Sequence, residues 1–124
     1  MNTRLLAALA FCAASALTTL AHAEPAAKMS AGMLVNTSGM TLYTFDNDVA
    51  GSGKSLCNGP CATLWPPAVA AADAKAEGDF TLVTRDDGAK QWAYKGKPIY
   101  LYSNDKKAGD KTGDNFRNVW HVVK

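Results

Sequence analysis

The chain has 124 residues, 48% of them hydrophobic, and carries 13 Lys and Arg against 11 Asp and Glu. So even a balance excludes the basic stripe expected of nucleic-acid binding and the clustered cations that draw a protein to an anionic membrane surface. Lys106-Lys107 is too short to count, and Asp105 and Asp110 flank it.

The first element is a targeting segment. Arg4 supplies a positive n-region, residues 5–20 are apolar and alanine-rich, and Ala21-His22-Ala23 is a small-x-small cleavage site. This predicts a signal peptide over 1–23, a mature start at Glu24, and a secreted or periplasmic destination. The apolar run is 16 residues, short of the ~20 that span a bilayer, so no stable membrane anchor is expected. Cys12 is a poor lipidation site, because it lies inside the apolar run behind bulky Phe11. Processing leaves 101 residues, enough for one domain with a modest core.

Residues 24–31 are expected to be a flexible lead-in and 32–124 a single β domain. Met33-Leu34-Val35 predicts a strand, a turn follows at 36–39, and 41–45 is its expected partner. Residues 46–60 hold Gly51, Gly53, Gly59, Asn47 and Asn58 and are expected to loop. Pro66 and Pro67 exclude a helix interior or a central strand there, and 68–76 could be a short helix or an irregular crossing. Residues 80–85 predict a strand, Asp86-Asp87-Gly88 a hairpin turn, and 90–94 the return. Lys95-Gly96 turns the chain into 99–102. A charged loop over 105–115 precedes a closing strand at 119–123. The fold class predicted is all-β: antiparallel sheets, sandwich or barrel-like, with at most one short helix.

The most informative feature is a pattern used twice. Gly39-Met40-Thr41-Leu42-Tyr43-Thr44-Phe45-Asp46-Asn47-Asp48 is echoed by Gly96-Lys97-Pro98-Ile99-Tyr100-Leu101-Tyr102-Ser103-Asn104-Asp105, with the final aspartates 57 residues apart. Such self-similarity predicts one supersecondary unit used twice around a shared core. Here that means two related β-meander repeats, at about 32–69 and 80–124. Tyr43, Phe45, Asp48 and Tyr100, Tyr102, Asp105 resemble the Tyr-x-aromatic-x-x-Asp signature of a bacterial family described as secreted repeats, or predicted lipoproteins, of unknown function. Cys57-Asn58-Gly59-Pro60-Cys61 before Leu64-Trp65-Pro66-Pro67 resembles that family too. So do Arg85-Asp86-Asp87-Gly88 with Gln91, and Val119-Trp120. The resemblance implies a small extracytoplasmic domain with no established chemistry.

Alternating residues of a strand share a face, so each Tyr neighbours the aromatic two positions on, and buried rings of this size dominate a small core. Each Asp falls where its strand should end and can bond turn N–H groups; a ligand site made by both aspartates is the functional alternative. Cys57 and Cys61, the cysteines left after processing, are expected to form a disulfide in an exported chain. The metal alternative takes both thiolates and His121 as a copper site, since soft sulfur selects Cu(I), with Met29, Met33 and Met40 as further ligands. Asp46-Asn47-Asp48 starts like a calcium loop, but its twelfth position is Cys57 rather than Glu. Ser52-Gly53-Lys54-Ser55 lacks the first glycine of a phosphate loop. No catalytic set or cofactor site is assembled. The functional expectation is therefore a non-enzymatic envelope module that binds a protein or small ligand, with copper binding as the alternative.

Overall fold

The computed structural model describes residues 27–124. The expected signal peptide at 1–23, with Arg4 and Cys12, and the first residues of the expected lead-in lie outside the described residues. Among these residues eight strands, one α-helix and one short 3-10 helix follow in order: β1 (Ala27–Ser30), β2 (Met33–Asn36), β3 (Tyr43–Phe45), α1 (Pro60–Leu64), β4 (Val69–Ala70), β5 (Phe80–Thr84), β6 (Lys90–Tyr94), β7 (Lys97–Pro98), the 3-10 helix (Phe116–Asn118) and β8 (Trp120–Val122). Every pairing among the described residues is antiparallel, and their strands close no barrel.

The tight turns explain the hairpins. Ala31-Gly32 joins β1 to β2 and Lys95-Gly96 joins β6 to β7, each with both residues at positive φ, the conformation whose twist matches a two-residue hairpin. Gly96 has a second reason. A Cβ there would lie 3.0 Å from the backbone nitrogen of Gly51, which donates to the Gly96 carbonyl.

Four expectations change. After Lys95-Gly96 the ladder strand is Lys97–Pro98, and the expected strand at 99–102 is reduced to isolated bridges from Tyr100 to Tyr43 and to Pro67. Ala27–Ser30, placed in the flexible lead-in, is a strand paired residue for residue with β2; the turn that makes it so contains Ala31, an unusual residue for positive φ. Residues 41–45 are not the ladder partner of β2. One bridge, Val35 to Thr41, joins them, and β3 pairs with β8 instead. The helix lies at Pro60–Leu64 rather than within 68–76. Pro60 opens it, where no N–H partner is needed, and it stops before Pro66-Pro67, while 69–70 pairs with β6 as β4.

The two repeats meet at Tyr43 and Tyr100. Tyr43 N–H donates to the Tyr100 carbonyl at 2.8 Å, and Tyr100 N–H returns the bond at 2.9 Å. Contacts on either side then repeat in pairs. Leu34 N–H bonds the Val123 carbonyl as Trp92 N–H bonds that of Ala68, and Leu42 N–H bonds Leu34 as Ile99 N–H bonds Trp92. Asp46 N–H bonds Val119 as Ser103 N–H bonds Leu64. A local two-fold axis therefore passes between Tyr43 and Tyr100. The last pairing also shows that the halves are interlaced: the motif segment of each repeat lies against the Trp-bearing segment of the other.

Strand alternation sends neighbours of this central strip to opposite sides. Leu42 and Ile99 face an aliphatic core with Leu34, Ala68, Ala70, Trp92 and Val123. Tyr43 and Tyr100 face an aromatic core with Trp65, Tyr102, Trp120 and Val122. Its centre is a four-ring stack. Phe45 lies on Trp120 at 4.3 Å between centroids, Trp120 on Trp65 at 3.9 Å, and Trp65 on Tyr102 at 4.0 Å. The two indoles are 2° from parallel, and each repeat contributes two of the four rings.

The stack leaves no room beside it. A Cβ on Gly113 would sit 2.6 Å from Cη2 of Trp65 and 2.9 Å from Cδ2 of Tyr102. Gly113→Ala should therefore lower stability by roughly 1–3 kcal/mol through overpacking. Thermal unfolding should show a fall in Tm of about 5–15 °C for a domain of this size.

Candidate functional site

The repeat signature forms two crossed braces. Tyr43, on β3, donates its hydroxyl to Oδ2 of Asp105 at 2.7 Å, while Tyr100 donates to Oδ2 of Asp48 at 2.5 Å. Each aspartate thus accepts from the tyrosine of the other repeat. Its second oxygen holds its own loop: Asp48 Oδ1 accepts Leu56 N–H at 2.7 Å, and Asp105 Oδ1 accepts the N–H and hydroxyl of Thr112. All four brace residues are buried.

Burial is the main reason that both phenols keep their protons far above the ordinary 10.0, and the adjacent Asp105 and Asp48 carboxylates add to it. The Gly113 N–H, at 3.2 Å from the Tyr43 oxygen, acts against this for Tyr43, and Ser55 does so for Tyr100.

The Tyr100 brace continues into a polar chain that the Tyr43 brace lacks. Because a carboxylate only accepts, Tyr100 must donate to Asp48. Its oxygen therefore accepts the Ser55 hydroxyl, 2.6 Å away. Ser55 in turn accepts from Arg85 Nη1 at 3.0 Å and from Cys57 N–H. Arg85 also reaches Gln91 Oε1, the Cys57 carbonyl and Asn58 Oδ1, and Gln91 donates to the Ile99 carbonyl. A buried guanidinium is thus joined to a buried carboxylate through two hydroxyls, with bonds running in one direction. Arg85 fixes the cysteine loop of the first repeat onto the long hairpin of the second.

Cys57 and Cys61 are joined as a disulfide, and Cys57 is buried in the aromatic core. The alternative copper set of Cys57, Cys61 and His121 gains no support: both sulfurs bond to each other, and both ring nitrogens of His121 have other partners. Nε2 meets Asp46 Oδ2 at 2.9 Å and Nδ1 meets Asn115 Oδ1 at 3.0 Å. Met29 is exposed and Met33 rests against the aromatic core. Among the described residues no three His, Cys, Asp or Glu side chains are grouped as metal ligands. Asp48 turns inward while Asp46 turns to His121, so the acidic start of that loop does not converge. Phe45 and Tyr102 end the ring stack. Ser55, Thr112 and Asn58 were not singled out from sequence for these roles. Arg85 and Gln91 entered only through the family resemblance.

One cleft, of about 360 Å³, lies where the repeats differ. Met29 and Leu34 of the first hairpin line one side and Phe80 and Tyr94 of the second line the other, with Lys28 at one rim and Glu77, Gly78 and Asp79 at the opposite one. Phe80 pairs with Tyr94, but the corresponding pair of the first hairpin is Ala27 with Asn36. The aromatic pair faces Met29 and Leu34 across the cleft.

A family model described as a secreted repeat of unknown function matches the chain twice, over residues 26–69 and 81–124. No curated protein and no solved structure matches it significantly. The two matches fall on the two interlaced units.

Asp48→Ala strips the acceptor from the Tyr100 hydroxyl and Leu56 N–H and should cost about 2–4 kcal/mol in chemical denaturation. Asp73→Ala, at an exposed position, should stay within about 0.5 kcal/mol. In the unfolded chain Tyr43 and Tyr100 titrate near 10.0, whereas in the fold they hold their protons to higher pH. Stability from these groups is therefore full below that pH and is lost as pH rises above it toward the folded values. Ultraviolet titration of the four tyrosines should show two phenolates appearing only together with loss of the native circular dichroism.

Proposed function

Because this chain belongs to the family described as a secreted repeat of unknown function, we propose that it is a non-enzymatic binding module of the cell envelope, working in the periplasm or just outside the cell. Its ligand is an extended peptide segment of an envelope protein. The observation that carries this reading is the cleft between the hairpins. Its volume, about 360 Å³, falls at the small end of ligand sites, and its apolar floor with a few polar groups at the rim is the usual composition of such sites.

The adjoining strand favours a peptide. Among the described residues β1 forms a ladder only with β2, so its outer edge is available for strand addition. A peptide laid there would place an apolar side chain against Met29, Phe80 and Tyr94. Lys28 on one rim and Glu77 with Asp79 on the other would meet flanking charges of both signs. The signature residues support the same reading by contrast, because their polar atoms are already satisfied within the protein.

Peptides selected from a random displayed library on the full chain provide the test, with amide chemical shifts as the map. Bound peptides should perturb residues 28–29, 77–80 and 94. Met29→Lys, at a half-exposed position (50%), should weaken binding about tenfold or more, equal to at least ~1.4 kcal/mol, with Tm unchanged. Shifts centred elsewhere, or full binding by that variant, would remove the assignment.

A further inference from the structure

The braced tyrosines and the ring stack together have a property that peptide binding does not use. After sulfur groups, indole and phenol are the side chains most easily oxidised by one electron. Here Trp65 and Trp120 lie parallel at 3.9 Å, close enough to share an electron hole. Tyr43 stands edge-on to Trp65 at 5.3 Å, and Tyr100 edge-on to Trp120 at 5.1 Å. Tyr102 extends the stack on Trp65 at 4.0 Å. Phe45, stacked on Trp120, is much harder to oxidise and closes the other end.

A phenol gives up an electron readily only when its proton can leave in the same event. Tyr43 and Tyr100 each have a carboxylate oxygen within 2.7 Å of the hydroxyl. Tyr102 does not: its hydroxyl is bonded by the Asn104 amide nitrogen, which is no base. The oxidisable rings are therefore ordered, with a carrier pair in the middle and a resting place on each side.

We propose that the aromatic core carries one-electron oxidising equivalents from oxygen-centred radicals outside the protein through Trp65 and Trp120 to Tyr43 and Tyr100. The oxygen-centred radical takes one electron from an indole and, with a solvent proton, becomes the hydroxyl compound. The indole radical cation takes an electron from the neighbouring phenol. The phenolic proton passes to Oδ2 of Asp105 or Asp48, leaving a neutral phenoxyl radical beside a carboxylic acid. One O–H forms on the external radical from a solvent proton, and the phenolic O–H is exchanged for a carboxylic-acid O–H; no other bond is made or broken. The interior of the protein thus acts as a sink for radical damage in a secreted chain.

Flash photolysis of the full chain with a ruthenium tris-bipyridyl photo-oxidant, read by transient absorption and electron paramagnetic resonance, tests this. The wild type should show a tryptophanyl signal decaying into a tyrosyl signal. Asp48→Asn together with Asp105→Asn keeps an acceptor for each hydroxyl but removes the base, and should leave the radical on tryptophan. Should that variant not fold, Tyr43→Phe and Tyr100→Phe, made singly, each keep the ring and should each lower the tyrosyl yield by about half, whereas Tyr94→Phe should not change it. A tyrosyl signal that disappears in Tyr94→Phe, or that persists undiminished in the braced-tyrosine variants, would overturn the proposal.

Discussion

The exchange between Tyr43 and Tyr100 is the constraint on which everything else depends. Two main-chain hydrogen bonds tie the motif segments together, and each side chain then crosses to an aspartate of the opposite repeat. The crossing cannot be rearranged piecemeal. If the strands slid by one residue, both tyrosines would leave the aromatic side for the aliphatic one, and two buried carboxylates would lose their donors. A buried charge without partners is among the more costly things a small domain can contain. The register of the centre is therefore fixed by polar groups, while the bulk of the stabilisation comes from the rings and aliphatic side chains packed on either side.

The two repeats share this centre and differ around it. The second has a long hairpin whose Arg85 grips the disulfide loop of the first. The first has a short hairpin with no such arm. Symmetry accounts for the braces, the ring stack and the paired main-chain bonds; asymmetry accounts for the Arg85 chain and the cleft. That division separates what the duplication had to keep in order to fold from what each copy was free to change.

Much of the centre was legible in the sequence, because it depends on short-range spacing. The doubled Gly-to-Asp pattern located both motif segments, of which Tyr43–Phe45 is a ladder strand and Tyr100 an isolated bridge; the i and i+2 aromatics gave the ring-bearing faces, and the position of each Asp past the aromatics indicated a loop-holding role. What spacing cannot carry is the crossing. Tyr43 and Asp105 are 62 residues apart and Tyr100 and Asp48 are 52 apart, and nothing local distinguishes a partner in the same repeat from one in the other. The strand at Ala27–Ser30 was hidden by the turn Ala31-Gly32, which has weak turn chemistry. The helix at Pro60–Leu64 was hidden inside a segment whose glycines and prolines read as loop. Arg85 carried no signal for burial, since arginine is seldom buried and its acceptors come from a loop far away in the chain.

The interlacing also bears on how such a molecule could arise. Each unit offers its Trp-bearing segment to the other's sheet and receives one back, so a chain with a single unit would have to borrow that segment from a second copy, as subunits do when they swap elements. Joining two units through residues 71–79 turns such an encounter between molecules into a search within one. The connector sets a high effective concentration for the exchange, so assembly no longer depends on how much protein is present. For a secreted repeat, independence from dilution is the gain.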